Sequence, residues 1–337
     1  MRKIYLLIYY YKLFDYSSKR VFGRNKKFLF FVKKGMQNAL KNVTLKEMEK
    51  GKRRMPANYA HRTFGEAVYA ALPQQTKALI EGEKELFDIG IHGPDILFFH
   101  KAPLFGELMQ YGNALHTKTG RIFFTHALDA YSRSKDKAVL AYILGVVCHY
   151  ALDSICHSYV MKKQTVSGAS HTEIEMEFDR KLLVENGGNP AKALLVKHVK
   201  PSAHAAAVIA QIFEEASEKE ILGCLYSMRR LDRLLLCPTK LKRWALYSVM
   251  KLVGKYEPLH SLVMSATPSP ACTDSSLRLK KLYNKTVSEA VEMIAAVLCT
   301  LETGAPLPER FDLTFEHNPG WEQIPVMSYE EELACEV

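Results

Sequence analysis

His149, Asp153 and His157 fall four residues apart in "CHYALDSICHSYV" (residues 148–160), at the end of the apolar run "AVLAYILGVV". Residues four apart on a helix lie one turn and about 6 Å from each other on one face. Three ionisable side chains on the apolar side of a core helix are costly unless something pairs with them. For two imidazoles and a carboxylate a metal ion is the commonest partner. Downstream, "SHTEIEMEFD" repeats the interval with His171 and Glu175 at the start of another helix. An HxxxE pair alone is frequent and usually solvated or capping. An HxxxDxxxH helix followed so soon by an HxxxE helix is not.

Spacing also bears on the number of ions. His149 and His157 are eight residues apart, about 12 Å along a helix axis at 1.5 Å per residue, whereas zinc holds imidazole nitrogens at roughly 2.0–2.1 Å. Two ions resolve the conflict, His149 and Asp153 serving one and His157, His171 and Glu175 the other. Paired ions roughly 3.5–4 Å apart are a recurring apparatus for displacement at phosphorus. The competing reading of the five residues is a satisfied polar network in the core.

The elements that must position these groups are helical. Beyond Met55 the apolar residues recur every three to four positions, with little strand-like alternation. "GIHGPDILFFHKAP" breaks the rhythm and reads as a loop, and Gly187 and Gly188 stop the HxxxE helix. No uninterrupted apolar run reaches the roughly 18 residues of a membrane span. Seven cysteines, odd in number and without a CxxC pair, favour free thiols in a reducing compartment and a cytoplasmic location.

The formal charge of +10 is unevenly placed. Residues 1–54 hold 16 Lys+Arg against 3 Asp+Glu, which leaves the remainder at −3. A negative body disfavours strong binding to a nucleic-acid backbone. Residues 1–54 lack the long apolar stretch and small-residue cleavage site of a secretory signal. The run "KEMEKGKRR" resembles a translated ribosome-binding stretch, so translation is expected to start at Met55; a basic membrane-surface anchor is the alternative. The expected organisation is a basic extension (1–54), a helical catalytic body (55–302) and an acidic, proline-containing tail (303–337). Ile221 to Lys255 hold eight Lys or Arg against one Asp, either a solvated helix face or a peripheral contact with anionic lipid.

The series His61 in "YAHRTFG", Asp95 in "GPD", His116 in "ALHTKTG", then "HYALDSICH" and "HTEIE" resembles the zinc-dependent phospholipase C family, related to the zinc single-strand nucleases of fungi. The resemblance implies an all-α single domain, without the C-terminal lipid-binding sandwich that larger members add. It implies one Zn2+ on Asp95, His116, His149 and Asp153, and a second on His157, His171 and Glu175. A third would use His61 and bridging Asp153. That third zinc is closed in the family by an N-terminal tryptophan, and no tryptophan precedes His61 here. Family members are often secreted.

The function this implies is zinc-dependent hydrolysis of a phosphodiester, a phospholipid foremost, with Asp95 as general base as well as ligand. Choline-cleaving members carry aromatics where this chain has Ile96 and Asn113, so the head group stays open. A nuclease or nucleotidase on the same metals and a zinc-bearing binding protein without turnover are the alternatives. His92, His100 and His126 flank the motifs as supporting or surface residues, and His198 belongs to no pattern. Cys148 and Cys156 adjoin the ligand histidines on other helix faces and read as packing residues.

Overall fold

A computed structural model describes residues 57–102, 107–252 and 254–336. The basic extension expected over residues 1–54 and the expected start at Met55 lie outside these. The described residues form helices α1 (Asn58–Ala71), α2 (Gln74–Leu79), α3 (Lys84–Gly90), α4 (Glu107–Thr117), α5 (Gly120–Ser134), α6 (Lys137–Ser167) and α7 (His171–Glu185). There follow α8 (Ala203–Ala210), α9 (Glu218–Leu235), α10 (Lys240–Leu252), α11 (Tyr256–Leu259), α12 (Thr273–Thr303) and α13 (Tyr329–Ala334). Among the described residues the only β pairing is an isolated bridge between Thr119 and Thr314, so the architecture is all-α.

Contacts divide the chain into two units. One spans Arg53–Ala245 and Glu257–Val337 and holds every residue singled out above as a ligand. The other takes in Leu246–Tyr256, where the Tyr247 and Tyr256 rings meet edge-on at 5.4 Å and Lys251 Nζ sits 4.7 Å from the Tyr256 ring centre.

Helix α6 is the centre of the larger unit. Its N-terminus is capped by Asp136, whose carboxylate accepts the Ala138 N–H at 2.9 Å, and it ends at Gly168 in the left-handed conformation. It is long and apolar enough to cross a membrane by length and composition, yet 94% of its most apolar window is buried inside the fold. A helix apolar on all sides suits a core position of this kind. Against it pack α1, α3, α5, α7 and α12.

The α3–α6 contact is the closest. A Cβ on Gly90 would lie 2.3 Å from the Tyr142 carbonyl oxygen, and one on Gly145 2.3 Å from that of Phe87. Backbone therefore meets backbone, and the chain leaving α3 is delivered straight onto α6. That chain is "GPDILFF", expected to be a loop. It forms a 3-10 helix, Gly93–Phe99, buried along its whole length. Pro94 at its first turn fits the helical start, and burial of the apolar run Ile96–Phe99 requires internal backbone hydrogen bonds that an open loop would lack.

The tail beyond α12 wraps back over the core. Arg121 Nη2 pairs with Asp312 Oδ2 at 2.9 Å, and Arg278 Nε with the fully buried Glu332 at 2.8 Å. Asn318 donates to Ser158 Oγ and to the Ser154 carbonyl, both at 3.0 Å. None of the seven cysteines forms a disulfide; Cys148 and Cys156 are buried, and burial raises both thiol pKa values far above the ordinary range.

Candidate metal centre

Four elements converge on the polar stripe of α6. His61 comes from α1, Asp95 from the 3-10 helix, His116 from the end of α4, and His171 and Glu175 from the first turns of α7. All eight residues named above are buried, none more than 8% exposed.

Gly93 explains how Asp95 approaches. It holds φ of +48°, and a Cβ there would stand 2.4 Å from His149 Cδ2. Only glycine accepts both the left-handed backbone and the imidazole against it. Asp95 Oδ2 then lies 4.0 Å from His149 Nε2, and Oδ1 3.0 Å from His116 Nε2.

Around Asp153 the distances are shorter still. Its Oδ1 is 3.1 Å from His61 Nε2 and its Oδ2 3.0 Å from His149 Nε2, with His157 Nδ1 at 3.8 Å from Oδ2. The His61 and His149 rings stack at 4.4 Å. His61, Asp95, His149 and Asp153 thus offer one ligand atom each, all within 4.8 Å of one another. His116 stands beside this group through Asp95. A second group meets the same test: His157, His171 and Glu175, with Glu175 Oε1 3.2 Å from His157 Nε2 and 3.1 Å from His171 Nε2. Asp153 reaches toward both.

Protons on the outer nitrogens are fixed by carbonyls. His116 Nδ1 lies 2.7 Å from the Gly112 carbonyl oxygen, and His157 Nδ1 the same distance from that of Phe315. Each Nδ1 is the donor, which leaves Nε2 as a lone-pair donor facing a carboxylate, the usual orientation of a metal-binding histidine.

The inner atoms fit an ion better than each other. His116 Nε2, both nitrogens of His149 and of His171, Asp153 Oδ2 and Glu175 Oε2 are buried without a hydrogen-bond partner. His149 Nε2 and Asp153 Oδ2 are 3.0 Å apart yet lack hydrogen-bond geometry. Orphaned polar atoms in a native core are few and costly. Several within one cluster, each imidazole offering one lone-pair nitrogen beside the carboxylate oxygens, suit Zn2+.

The field inside the cluster is set by the same contacts. Burial raises Asp153, but His149, His157 and His61 together outweigh it and hold the carboxyl well below its ordinary value. Glu175 behaves likewise: burial is overcome by His171 and His157, and its pKa falls to about 2. Burial lowers His149 overall despite Asp153 and Asp95, whereas for His61 Asp153 and the more distant carboxylates prevail over burial and raise it. Burial also opposes His116, and Asp95 reverses the sign.

Three features of the site are absent from the sequence reading. The Phe315 carbonyl comes from the tail, with the Phe315 ring 5.6 Å from that of His116 and 5.9 Å from that of His149. Nothing in the local sequence marks it. His198, expected to be without a pattern, places its Nε2 2.8 Å from that of His92, and burial lowers both imidazoles. Asp179 accepts the backbone N–H groups of Tyr59 and Ala60 at 2.9 and 2.7 Å. Its signal was readable, since it continues the His171–Glu175 interval by a further turn. His100 Nε2 is 3.9 Å from Glu220 Oε1, and His126 Nδ1 lies 3.3 Å from Glu214 Oε1.

Comparison with curated proteins and with solved structures gives no match. The family model described as zinc dependent phospholipase C matches residues 60–227, a stretch that contains all seven residues of the two groups and His116. Through that helical stretch the chain belongs to the zinc-dependent phospholipase C family.

Proposed function

We propose that this protein is a zinc-dependent hydrolase that cleaves the phosphodiester of a phospholipid. The observation that carries the reading is the pair of buried ligand groups joined at Asp153, each rich in atoms without partners. His61, Asp95, His149 and Asp153, with His116 alongside, would hold one ion, and His157, His171 and Glu175 a second. Zinc bound there supplies a water of lowered pKa and neutralises charge gathering on the phosphoryl oxygens.

The chain's own groups do the rest. Asp95 faces the first group from a buried 3-10 helix and serves as general base, accepting the proton of the attacking water. Asp153 ties the groups together, and His116 and His157 are locked in orientation by the Gly112 and Phe315 carbonyls. Attack is in line and requires no covalent intermediate on the protein.

Metal analysis of purified protein, together with phospholipids of several head groups and a single-stranded oligonucleotide, tests this. Two zinc ions per chain and release of a phosphorylated head group are expected. Bound zinc with no phospholipid turnover overturns the reading, and cleavage of the oligonucleotide alone replaces it with a nuclease.

A further inference from the structure

The apolar side chains standing farthest into solvent in the larger unit include Leu241 and Trp244, 63% and 65% exposed. They are three residues apart at the start of α10 and so share a face. Lys240, Lys242 and Arg243 flank them, and Arg229, Arg230 and Arg233 lie on α9, whose end is joined to this segment by Lys242 Nζ donating to the Arg233 carbonyl at 3.1 Å.

Residues 229–243 hold these six cations and one acid, Asp232, whose carboxylate already accepts the Leu195 and Val196 N–H groups. The partners of Arg229 are the Lys197 and Val199 carbonyls, and Arg243 donates to that of Met264. Carbonyls orient a guanidinium without cancelling its charge. Basic side chains beside exposed Trp and Leu are the composition of a helix that lies in a bilayer interface.

The end of α9 that leads to this face also lines a pocket. Asn58, Phe99, Met176, Leu235, Leu236 and Cys237 are among the residues that line it. Met176 is next in sequence to Glu175, and Leu235–Cys237 lead toward α10.

We infer that Leu241, Trp244 and the surrounding cations form a docking surface for an anionic phospholipid bilayer. This deepens the phospholipid reading above and rests on it. Charge complementarity selects the occupant. A second copy would set like charges opposite one another. An oligonucleotide would meet the charge but leave Leu241 exposed.

The chain has two tryptophans, Trp244 and Trp321, so full-length protein carrying Trp321→Phe reports on Trp244 alone. Its emission is expected to shift to the blue on vesicles containing phosphatidylserine, to stay put on pure phosphatidylcholine, and to revert in high salt. Each basic residue near an anionic surface contributes about fivefold to partitioning, so K240Q/K242Q/R243Q lowers co-sedimentation on the order of a hundredfold. Hydrolysis of a monomeric short-chain phospholipid is unchanged in that variant, while hydrolysis of vesicles falls. No blue shift, an equal shift with neutral vesicles, a shift with an oligonucleotide only, or undiminished sedimentation of the triple variant overturns the proposal. Sedimentation that needs these residues in a protein unable to cleave the short-chain substrate upholds the surface and removes the hydrolase.

Discussion

The carboxylate of Asp179 on α7 accepts the backbone N–H of Ala60 on α1 at 2.7 Å, and the N–H of Tyr59 at 2.9 Å. Helix α1 has Ala57 at its N-cap, which offers no side-chain hydrogen bond, so its first turn is closed by a residue 119 positions away from Ala60. The helix carrying His61 is thereby fixed to the helix carrying His171 and Glu175. Asp179→Ala leaves two buried N–H groups without an acceptor, at about 1–3 kcal/mol each. A loss of about 2–6 kcal/mol in urea unfolding is expected, together with reduced zinc content.

Asp179 also gives a pH signature. Burial raises its pKa to about 7, against the pull of the two N–H groups and of His61. An unfolded Asp titrates near about 4, so between these values the native state binds more protons than the unfolded chain and stability falls as pH rises. Urea midpoints of wild type are expected to decline across that window relative to Asp179→Asn. Parallel curves would show that the carboxyl is ionised throughout.

Glu175 titrates in the opposite sense. Its native pKa of about 2 lies below the unfolded carboxylate range, held there against burial by His171 and His157. The stabilisation is present above about pH 4.3 and is lost as pH falls toward 2. In metal-free protein the acid-unfolding midpoint should therefore move to higher pH in Glu175→Gln, followed by circular dichroism.

Removing metal should cost stability as well as activity. An ion that binds only the native state at a thousand times its Kd contributes about 4 kcal/mol. Chelation is expected to lower the thermal midpoint by several degrees and to abolish hydrolysis, with both restored by zinc. His171→Ala should retain roughly one ion fewer per chain by elemental analysis.

Gly93→Ala tests the approach of Asp95 to α6. The added methyl would meet His149 Cδ2 at 2.4 Å, in a backbone conformation L residues avoid. A cost of about 1–3 kcal/mol follows from overpacking and strain, with a larger fractional loss of zinc than of helical signal. Unchanged metal content would separate the two.

The sequence by itself determined the class of fold and the residue types gathered at the candidate centre. Side chains at four-residue intervals fall on one helix face whatever surrounds them, so His149, Asp153, His157, His171 and Glu175 were legible from spacing alone. An apolar run around them called for burial, and buried imidazoles and acids called for a partner. His61, Asp95 and His116 stand alone in the sequence and were reached through the family resemblance.

Only the tertiary structure decided how the separate pieces meet. Backbone contact between Gly90 and Gly145 turns the expected loop at "GPD" into a buried 3-10 helix, because its carbonyls and N–H groups must pair once water is excluded. The Phe315 carbonyl that orients His157 lies 158 residues along the chain, and a carbonyl has no letter in the sequence. His92 and His198 pair across 106 residues with no periodicity to announce it. Local pattern records which face a residue occupies; long-range contact, closed by packing, determines what that face meets.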